Sequence, residues 1–323
     1  NDKSILITGG TGSLGTHLTK TILGRWPDVK RLVIFSRDEQ KQYQMAQDFP
    51  HAKYNAIRYF IGDVRDSERL KTAMKDIEYV IHAAAMKQIP ASEYNPMEAI
   101  KTNILGAENI VNAAIENGVG KVVALSTDKA ANPANLYGAT KLCSDKLMIA
   151  GNYLSNRTET TFSVVRYGNV LGSRGSVIPF FKEKALTGKI PITDVRMTRF
   201  WLTLNQGVNL VMRAIDSMHG GEIYVPKIPS FKVIDVARII APNIPTYEIG
   251  IRPGEKLHEE MISADDSRRT VILRDRFVVT PVVAEWGYEI PKGSRMPEGQ
   301  AYRSDTNDLW MSEADIKNFI KNL

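Results

Sequence analysis

The sequence predicts an α/β protein, a doubly wound parallel sheet followed by a smaller C-terminal domain. Three observations carry this. Short apolar runs alternate with helical patterns through the first half, a glycine-rich turn joins the first run to the first helix, and the rhythm weakens beyond about Gly168. Strands that alternate with helices need crossover connections, which produce a parallel sheet covered on both faces.

In order, Ser4–Thr8 reads as a buried strand, Thr16–Leu23 as a helix and Arg31–Ser36 as the second strand, followed by a Gln-rich polar helix at Glu39–Gln47. Further strands are expected at Ile57–Ile61, Tyr79–Ala83, Val122–Ser126 and Phe162–Arg166, with helices at Ser67–Met74 and Ile104–Asn117 between them. Gly172, Ser173, Gly175 and Pro179 suggest a loop over the carboxyl edge of the sheet. The expected division is a nucleotide-binding domain at 1–171, to which 202–225 returns. Residues 172–201 and 226–323, rich in Pro and short mixed elements, form a substrate-binding domain.

The 323 residues are 43% hydrophobic and 24% charged, which describes a globular chain with a large core. No stretch approaches the roughly 18 apolar residues of a membrane span, so no membrane partner is expected. Asn1–Ile5 leads directly into a strand pattern, and no signal peptide is expected. One cysteine, Cys143, excludes an internal disulfide, and the five His lack zinc-finger spacing, so no metal site is expected and the compartment reads as reducing, hence cytoplasmic. Cys143 itself reads as a packing residue on the side of its helix away from Lys141. The net charge of +6 comes from Lys and Arg scattered among 36 acids, without a basic run. That is a solvated surface rather than a nucleic-acid footprint, and a diphosphate ligand needs only a few converging bases.

Gly9-Gly10-Thr11-Gly12-Ser13-Leu14-Gly15 follows the first strand and opens the first helix. Missing side chains permit a tight turn, the approach of a pyrophosphate and close helix–strand packing, while the helix N-terminus offers free N–H donors. This is the Rossmann dinucleotide fingerprint. An NAD site carries an acid about 20 residues further on; here Ser36-Arg37-Asp38 stands in that region. A hydroxyl and a guanidinium suit the 2′-phosphate of NADP. The other reading leaves Arg37 in solvent and gives an NAD ribose to Asp38. Asp63 and Val64 follow the third strand where an adenine would sit.

Tyr137 and Lys141 are spaced i and i+4, hence on one helix face. A tyrosine acting as base near neutrality needs its pKa lowered from about 10 by roughly 4 kcal/mol of differential stabilisation, which the Lys141 ammonium and a nicotinamide cation would supply together. Upstream, Ser126-Thr127-Asp128-Lys129-Ala130 ends the fifth strand, where ligands bind in such sheets. Thr127 is placed to hydrogen-bond a substrate hydroxyl, and Asp128 and Lys129 are an adjacent acid and base. His82, Trp201 and the methionines read as structural.

The stretch from Ser126 to Pro133 together with Tyr137-Gly138-Ala139-Thr140-Lys141 closely resembles the configuration-inverting UDP-N-acetylglucosamine 4,6-dehydratases, extended short-chain dehydrogenase/reductases that begin bacterial pseudaminic acid synthesis. The likeness extends through Phe35–Glu39, His82–Ala85, Arg166–Val170, Arg196–Phe200 and Ile251–Lys256, and fades after about Asp275. Retaining relatives carry Asp-Glu where this chain has Asp128-Lys129.

The resemblance implies tightly bound NADP, recycled within the reaction. It would be held by Gly9, Thr11, Gly12, Ser13, Leu14, Gly15, Ser36, Arg37, Asp38, Lys41, Asp63, Val64, Ala83, Tyr137 and Lys141. It implies a UDP-sugar gripped by Lys87, Asn169, Val177, Thr193, Arg199, Arg252 and Glu255, with Arg199 and Arg252 as diphosphate partners. Catalysis falls to Tyr137 as base at the C4 hydroxyl, neutral Lys129 as base at C5 and Asp128 as acid at the C6 hydroxyl, with Thr127 and Lys141 supporting. A homo-oligomer, specifically a hexamer, is implied as well. A UDP-sugar 4-epimerase would share the Tyr–Lys pair but needs no C5 base. A non-catalytic NADP-sensing protein on the same fold would have lost the Tyr or the Lys.

Overall fold

The computed structural model describes residues 2–155, 160–170 and 177–321. The first half alternates as β1 (Ser4–Thr8), α1 (Ser13–Arg25), β2 (Arg31–Ser36), α2 (Glu39–Asp48), β3 (Ile57–Ile61), α3 (Ser67–Ala73), β4 (Tyr79–His82), α4 (Ile89–Tyr94), α5 (Pro96–Ile100), α6 (Gly106–Glu116), β5 (Lys121–Thr127), α7 (Leu136–Leu154) and β6 (Thr161–Tyr167). There follow α8 (Val177–Ala185), β7 (Ile190–Ile192), β8 (Thr198–Phe200), α9 (Leu204–Ser217), β9 (Ile223–Pro226), β10 (Ser230–Lys232), α10 (Val233–Ile240), β11 (Thr246–Glu248), β12 (Glu260–Ile262), β13 (Thr270–Ile272), β14 (Arg276–Val279), β15 (Ser294–Arg295), β16 (Tyr302–Arg303) and α11 (Glu313–Lys321).

The strands of the first half are continuous apolar runs because both faces of the sheet are covered. Leu6, Ile7, Val33, Ile34, Val80, Ile81, Val122, Val123, Val164 and Val165 are all buried. Burying each such side chain contributes about 1.5–3 kcal/mol. The helices start where the sequence places a cap. Asp38 accepts from Lys41 N at 3.0 Å, Asp66 from Arg69 N at 2.9 Å and Asn135 from Gly138 N at 2.8 Å. Thr203 and Gln206 form a reciprocal capping box at α9.

The large sheet runs β3-β2-β1-β4-β5-β6-β9-β14-β13-β15. From β3 to β9 every pairing is parallel. The order reverses at β1, between β2 and β4, so the loops after these strands open a crevice at the carboxyl edge. β9 lies against β6, and α9 packs on α1. One expectation fails here. The segment 270–295, assigned to the substrate domain, instead adds β14, β13 and β15 antiparallel to the far edge of the large sheet. A strand pair cannot end with an unpaired apolar edge, and Val278 and Val279 on β14 cover that of β9.

The second lobe has its own core, built from Ile178, Phe181, Ile190, Trp201, Phe231, Val236 and Ile316. It is framed by the small pairs β8–β10 and β7–β11. Pro179, expected in a loop, lies near the start of α8, where its missing N–H has little cost. Gly172, Ser173 and Gly175 lie outside the described residues. Among the described residues no helix is long and apolar enough to cross a membrane.

Glycine permits a close backbone approach at the first turn. A Cβ on Gly15 would stand 2.5 Å from Gly10 O and 2.6 Å from Gly10 Cα, both backbone. Gly15→Ala is expected to cost about 1–3 kcal/mol through forced backbone shift, read as a lower urea midpoint. A variant of unchanged midpoint would show that the loop yields freely.

Candidate active site

The carboxyl edges of β1, β2, β4, β5 and β6 face one cleft of about 1260 Å³, closed on its other side by residues of the second lobe. Every residue singled out for cofactor or substrate in the sequence lines it, from Gly9 to Glu255. So do Thr127, Lys129, Tyr137 and Lys141. Asp128 does not.

At the β1–α1 turn, Gly9 takes a φ of 65°, and a Cβ there would meet Ala84 N at 2.8 Å. The loop therefore rests directly on the chain leaving β4. Gly12 is the N-cap of α1 and offers no side-chain cap, so the first N–H groups of the helix remain available to an anion. A pyrophosphate fits this cradle. At the end of β2, Ser36 is buried and its hydroxyl accepts from Gln42 Nε2 at 3.2 Å. Asp38 is committed to its own helix, with Oδ1 capping α2 and Oδ2 3.0 Å or less from a cation, 2.9 Å from Lys41 Nζ. Arg37 is left largely exposed, and its one ion pair among the described residues is a 3.8 Å contact with Asp63. Hydrogen bonds from Lys41 hold the Asp38 carboxyl below its ordinary range. Val64 is buried against Gly106.

β4 ends on His82, whose Nδ1 lies 2.8 Å from Thr8 Oγ1. Burial first, and then the Lys141 charge, push its pKa down to about 3. The chain beyond is held by Asn103, which sits in a π-helical turn at Lys101–Leu105. It accepts from Met86 N at 2.8 Å and donates to Met86 O at 2.9 Å and Thr140 Oγ1 at 3.0 Å. That fixes the segment bearing Lys87 to α7.

β5 delivers the chemistry. Thr127 is extended, and the chain then turns through a single 3₁₀ turn, Asp128–Ala130. The N-terminus of α7 rests on this turn because residue 138 is glycine; a Cβ there would overlap Lys129 O. Tyr137 is thus recessed beside Lys129. Burial pushes its hydroxyl up to about 12, against the pull of the Lys129 charge and a hydrogen bond with Thr127. The cation acting on Tyr137 is Lys129, in place of the expected Lys141. Lys141 is buried, which lowers its pKa, while Asp145 works the other way. Asp145 in turn takes Ser126 Oγ at 2.7 Å and Arg166 at 3.2 Å.

Lys129 Nζ stands 3.1 Å from Asp128 Oδ1 and 3.1 Å from Glu259 Oε1. Burial favours the neutral amine, but the two carboxylates outweigh it and the lysine is held well above its ordinary range. The neutral form that a base at C5 requires is thus disfavoured while both carboxylates stand beside the amine. Asp128 is fully buried and reaches the cleft only through Thr127, which donates to Oδ1 at 2.9 Å, and through Lys129. Burial and then the Glu259 charge raise its proton affinity. Gly168 leaves room for its Oδ2, since a Cβ there would come within 3.1 Å.

Arg199 departs from expectation. Its Nη1 donates to Thr198 O and Leu257 O, its Nη2 to Lys256 O, and its Nε faces Glu259 at 3.5 Å. Those donors are spent on the protein, so it clamps the 255–259 segment rather than standing free for a diphosphate. Arg252 is exposed and bidentate with Glu255. Asn169 and Glu255 also line a side chamber of about 190 Å³ that ends on Glu259. Among the described residues no cluster of His, Cys, Asp and Glu could hold a metal ion. Cys143 points away from Lys141, as read, but lies exposed on the surface rather than packed.

Over residues 5–281 the chain matches the family described as polysaccharide biosynthesis protein. The chain belongs to that family. Within it, the chain is 53% identical to a UDP-N-acetylglucosamine 4,6-dehydratase (inverting) of Campylobacter jejuni, covering 99% of this chain and 98% of the relative. It is 43% identical to a UDP-glucose 4-epimerase of Rickettsia conorii, covering 85% and 82%. Among solved structures it matches Pen from Bacillus thuringiensis with a TM-score of 0.90 and 39% identity, covering 100% of this chain and 99% of that one.

Sequence reasoning missed Glu259, Asn103 and the Asp145–Arg166 pair. A carboxylate beside Glu260 at the start of a short strand reads as solvent-facing, and nothing in the local pattern tells which of the two turns inward.

His82 yields a pH prediction. Its folded pKa lies below the unfolded value, so below about pH 6.5 the unfolded chain gains a proton that folded His82 refuses, and stability is lost as pH falls toward 3. Between pH 6.5 and 5 His82→Gln should flatten the decline of unfolding free energy by about 1.4 kcal/mol per pH unit. Parallel curves for the two proteins would show that His82 is not buried neutral.

Proposed function

We propose that this protein is a UDP-N-acetylglucosamine 4,6-dehydratase that inverts C5, giving UDP-2-acetamido-2,6-dideoxy-β-L-arabino-hex-4-ulose. The observation that carries the reading is Lys129, placed at the carboxyl end of β5 beside Asp128 and reaching into the cleft next to Tyr137. An epimerase needs no base at C5. The glycine cradle at Gly9–Gly15 fits a dinucleotide, and Ser36 and Arg37 favour NADP, since Asp38 is engaged with Lys41 and leaves Arg37 as the free group for a 2′-phosphate. Bound there, the nicotinamide supplies hydride acceptance from C4 and hydride return to C6.

The chain's own residues divide the proton work. Tyr137, as its phenolate, takes the proton of the C4 hydroxyl; burial holds the phenol protonated, and the Lys129 charge together with a nicotinamide cation would offset this. The ketone formed at C4 acidifies the C5 hydrogen. Lys129 passes its extra proton to the Asp128 carboxylate 3.1 Å away, and the neutral amine then removes the C5 proton. The proton now on Asp128 leaves through the Thr127 hydroxyl to the departing C6 oxygen, which goes as water. A solvent proton then reaches C5 from the opposite face, and Tyr137 returns the C4 hydroxyl proton to solvent, which closes the proton balance. Lys87, Asn169, Val177, Thr193, Arg252 and Glu255 line the part of the cleft that takes the UDP-sugar. The free, exposed thiol of Cys143 accords with the cytoplasm. Family resemblance supports a homo-oligomer, a hexamer, which light scattering would test.

Mass spectrometry of UDP-N-acetylglucosamine incubated with the protein should show loss of one water; an isomer of unchanged mass would make it an epimerase. In deuterated water the product should carry deuterium at an inverted C5. Lys129→Ala should still oxidise C4 but eliminate about 100-fold more slowly, and near-normal turnover would remove Lys129 from the mechanism. In titration calorimetry Arg37→Ala should weaken NADP and spare NAD, whereas equal loss for both would overturn the cofactor assignment.

A further inference from the structure

We propose that Glu259 is a positioning residue of the elimination step, holding Lys129 against Asp128 so that the two share a single proton. This rests on the dehydratase reading above and goes beyond it, since Glu259 belongs to no motif that suggested that reading.

The geometry is that of a built site. Glu259 is 1% exposed. Its Oε1 is 3.1 Å from Lys129 Nζ and 3.5 Å from Arg199 Nε. Its Oε2 is buried without a hydrogen-bond partner among the described residues. A buried carboxylate with a spare lone pair is costly and calls for a reason. The backbone around it is pinned from the C-terminal end of the chain. Glu259 N donates to Ser304 Oγ at 2.9 Å, and Ser304 N donates back to Glu259 O at 2.8 Å. Ser304 Oγ also lies 2.7 Å from Thr198 Oγ1. The chain around Ser304, near the C-terminus, thus sets where this carboxylate stands.

The charged groups facing it come from three elements. The turn after β5 contributes Asp128 and Lys129, with Tyr137 beside them; β8 contributes Arg199; the segment before β12 contributes Glu255 and Lys256. His258, with Asp305 and Arg303, lies on the other side of the strand. Burial opposes ionisation of Glu259, but Lys129 and then Arg199 overcome it. Its negative charge therefore persists and raises the proton affinity of both Asp128 and Lys129. The two titrate as a unit. The pair is competent with one proton, which lies on Lys129 at rest and on Asp128 when Lys129 acts. It is blocked by a second proton at low pH and by loss of the last at high pH. Removing the Glu259 charge lowers both limits together.

The experiment measures the pH profile of water loss from UDP-N-acetylglucosamine by the wild type, Glu259→Gln and Glu259→Asp. Failure of the wild type to release water refutes the dehydratase reading itself. With that activity present, Glu259→Gln should move both limbs of the profile to lower pH by about one unit or more. Glu259→Asp, whose carboxylate is drawn back by one methylene, should move them the same way by less. Should Glu259→Gln fail to fold, Glu259→Asp alone decides, because its charge still pairs with Lys129. Single-turnover formation of the 4-keto sugar with Tyr137 intact should be nearly unaffected in the folded variants, while solvent exchange at C5 slows. Profiles that stay at the wild-type position, or an equal slowing of C4 oxidation, would reduce Glu259 to a structural ion and overturn the proposal.

Discussion

Four charges, three of them buried and Lys129 partly so, hold this molecule's two halves in register. Asp128 and Lys129 come from the turn that ends β5; Arg199 and Glu259 come from β8 and the approach to β12. Removing such groups from water is costly, and their mutual attraction offsets this only at short range and with their remaining donors satisfied. Lys129 meets that condition twice at 3.1 Å, and Arg199 meets it with three backbone carbonyls. The second lobe cannot swing away from the sheet edge without stranding a charge, so the width of the cleft and the ionisation of its base are settled together.

The rest of the site follows from that anchorage. Gly138 lets α7 press on the Asp128–Ala130 turn, which puts Tyr137 under the influence of Lys129. Asn103 ties the chain after β4 to α7, and His82, hydrogen-bonded to Thr8, is kept neutral by its burial. The floor of the cleft is thus a set of short polar bonds between strand ends. A parallel sheet brings all those ends to one side, so residues from far apart in the chain converge without long loops.

The electrostatics explain why acid and base can be neighbours in sequence. Adjacent Asp and Lys in water would stay an ion pair of little value. Here Asp128 is buried and its proton affinity rises, while Lys129 answers to a second carboxylate. Both proton affinities rise because both groups face the Glu259 charge, so the two titrate as a unit. Arg199 strengthens the arrangement from behind, at the expense of any direct grip on a diphosphate.

The sequence by itself determined the fold of the first 167 residues and the membership of the cleft. Continuous β-branched runs cannot be anything but strands covered on both faces, and a glycine string between strand and helix has few other uses. The strand limits expected at Ser4–Thr8, Arg31–Ser36 and Ile57–Ile61 are those observed. Local pattern named Thr127 and Lys129 at the end of β5 and the glycine turn after β1, because in a parallel sheet position along the chain implies position at the edge, but it did not name Phe35, Leu125 or Tyr167, which also line the cleft. What only the tertiary structure decided is pairing between segments well separated along the chain. That β13, β14 and β15 extend the large sheet, that Arg199 turns inward and that Glu259 answers Lys129 across 130 positions all depend on which surfaces meet. A short strand or a lone carboxylate carries no periodic signal of its partner, since its energy lies in the contact and not in the segment.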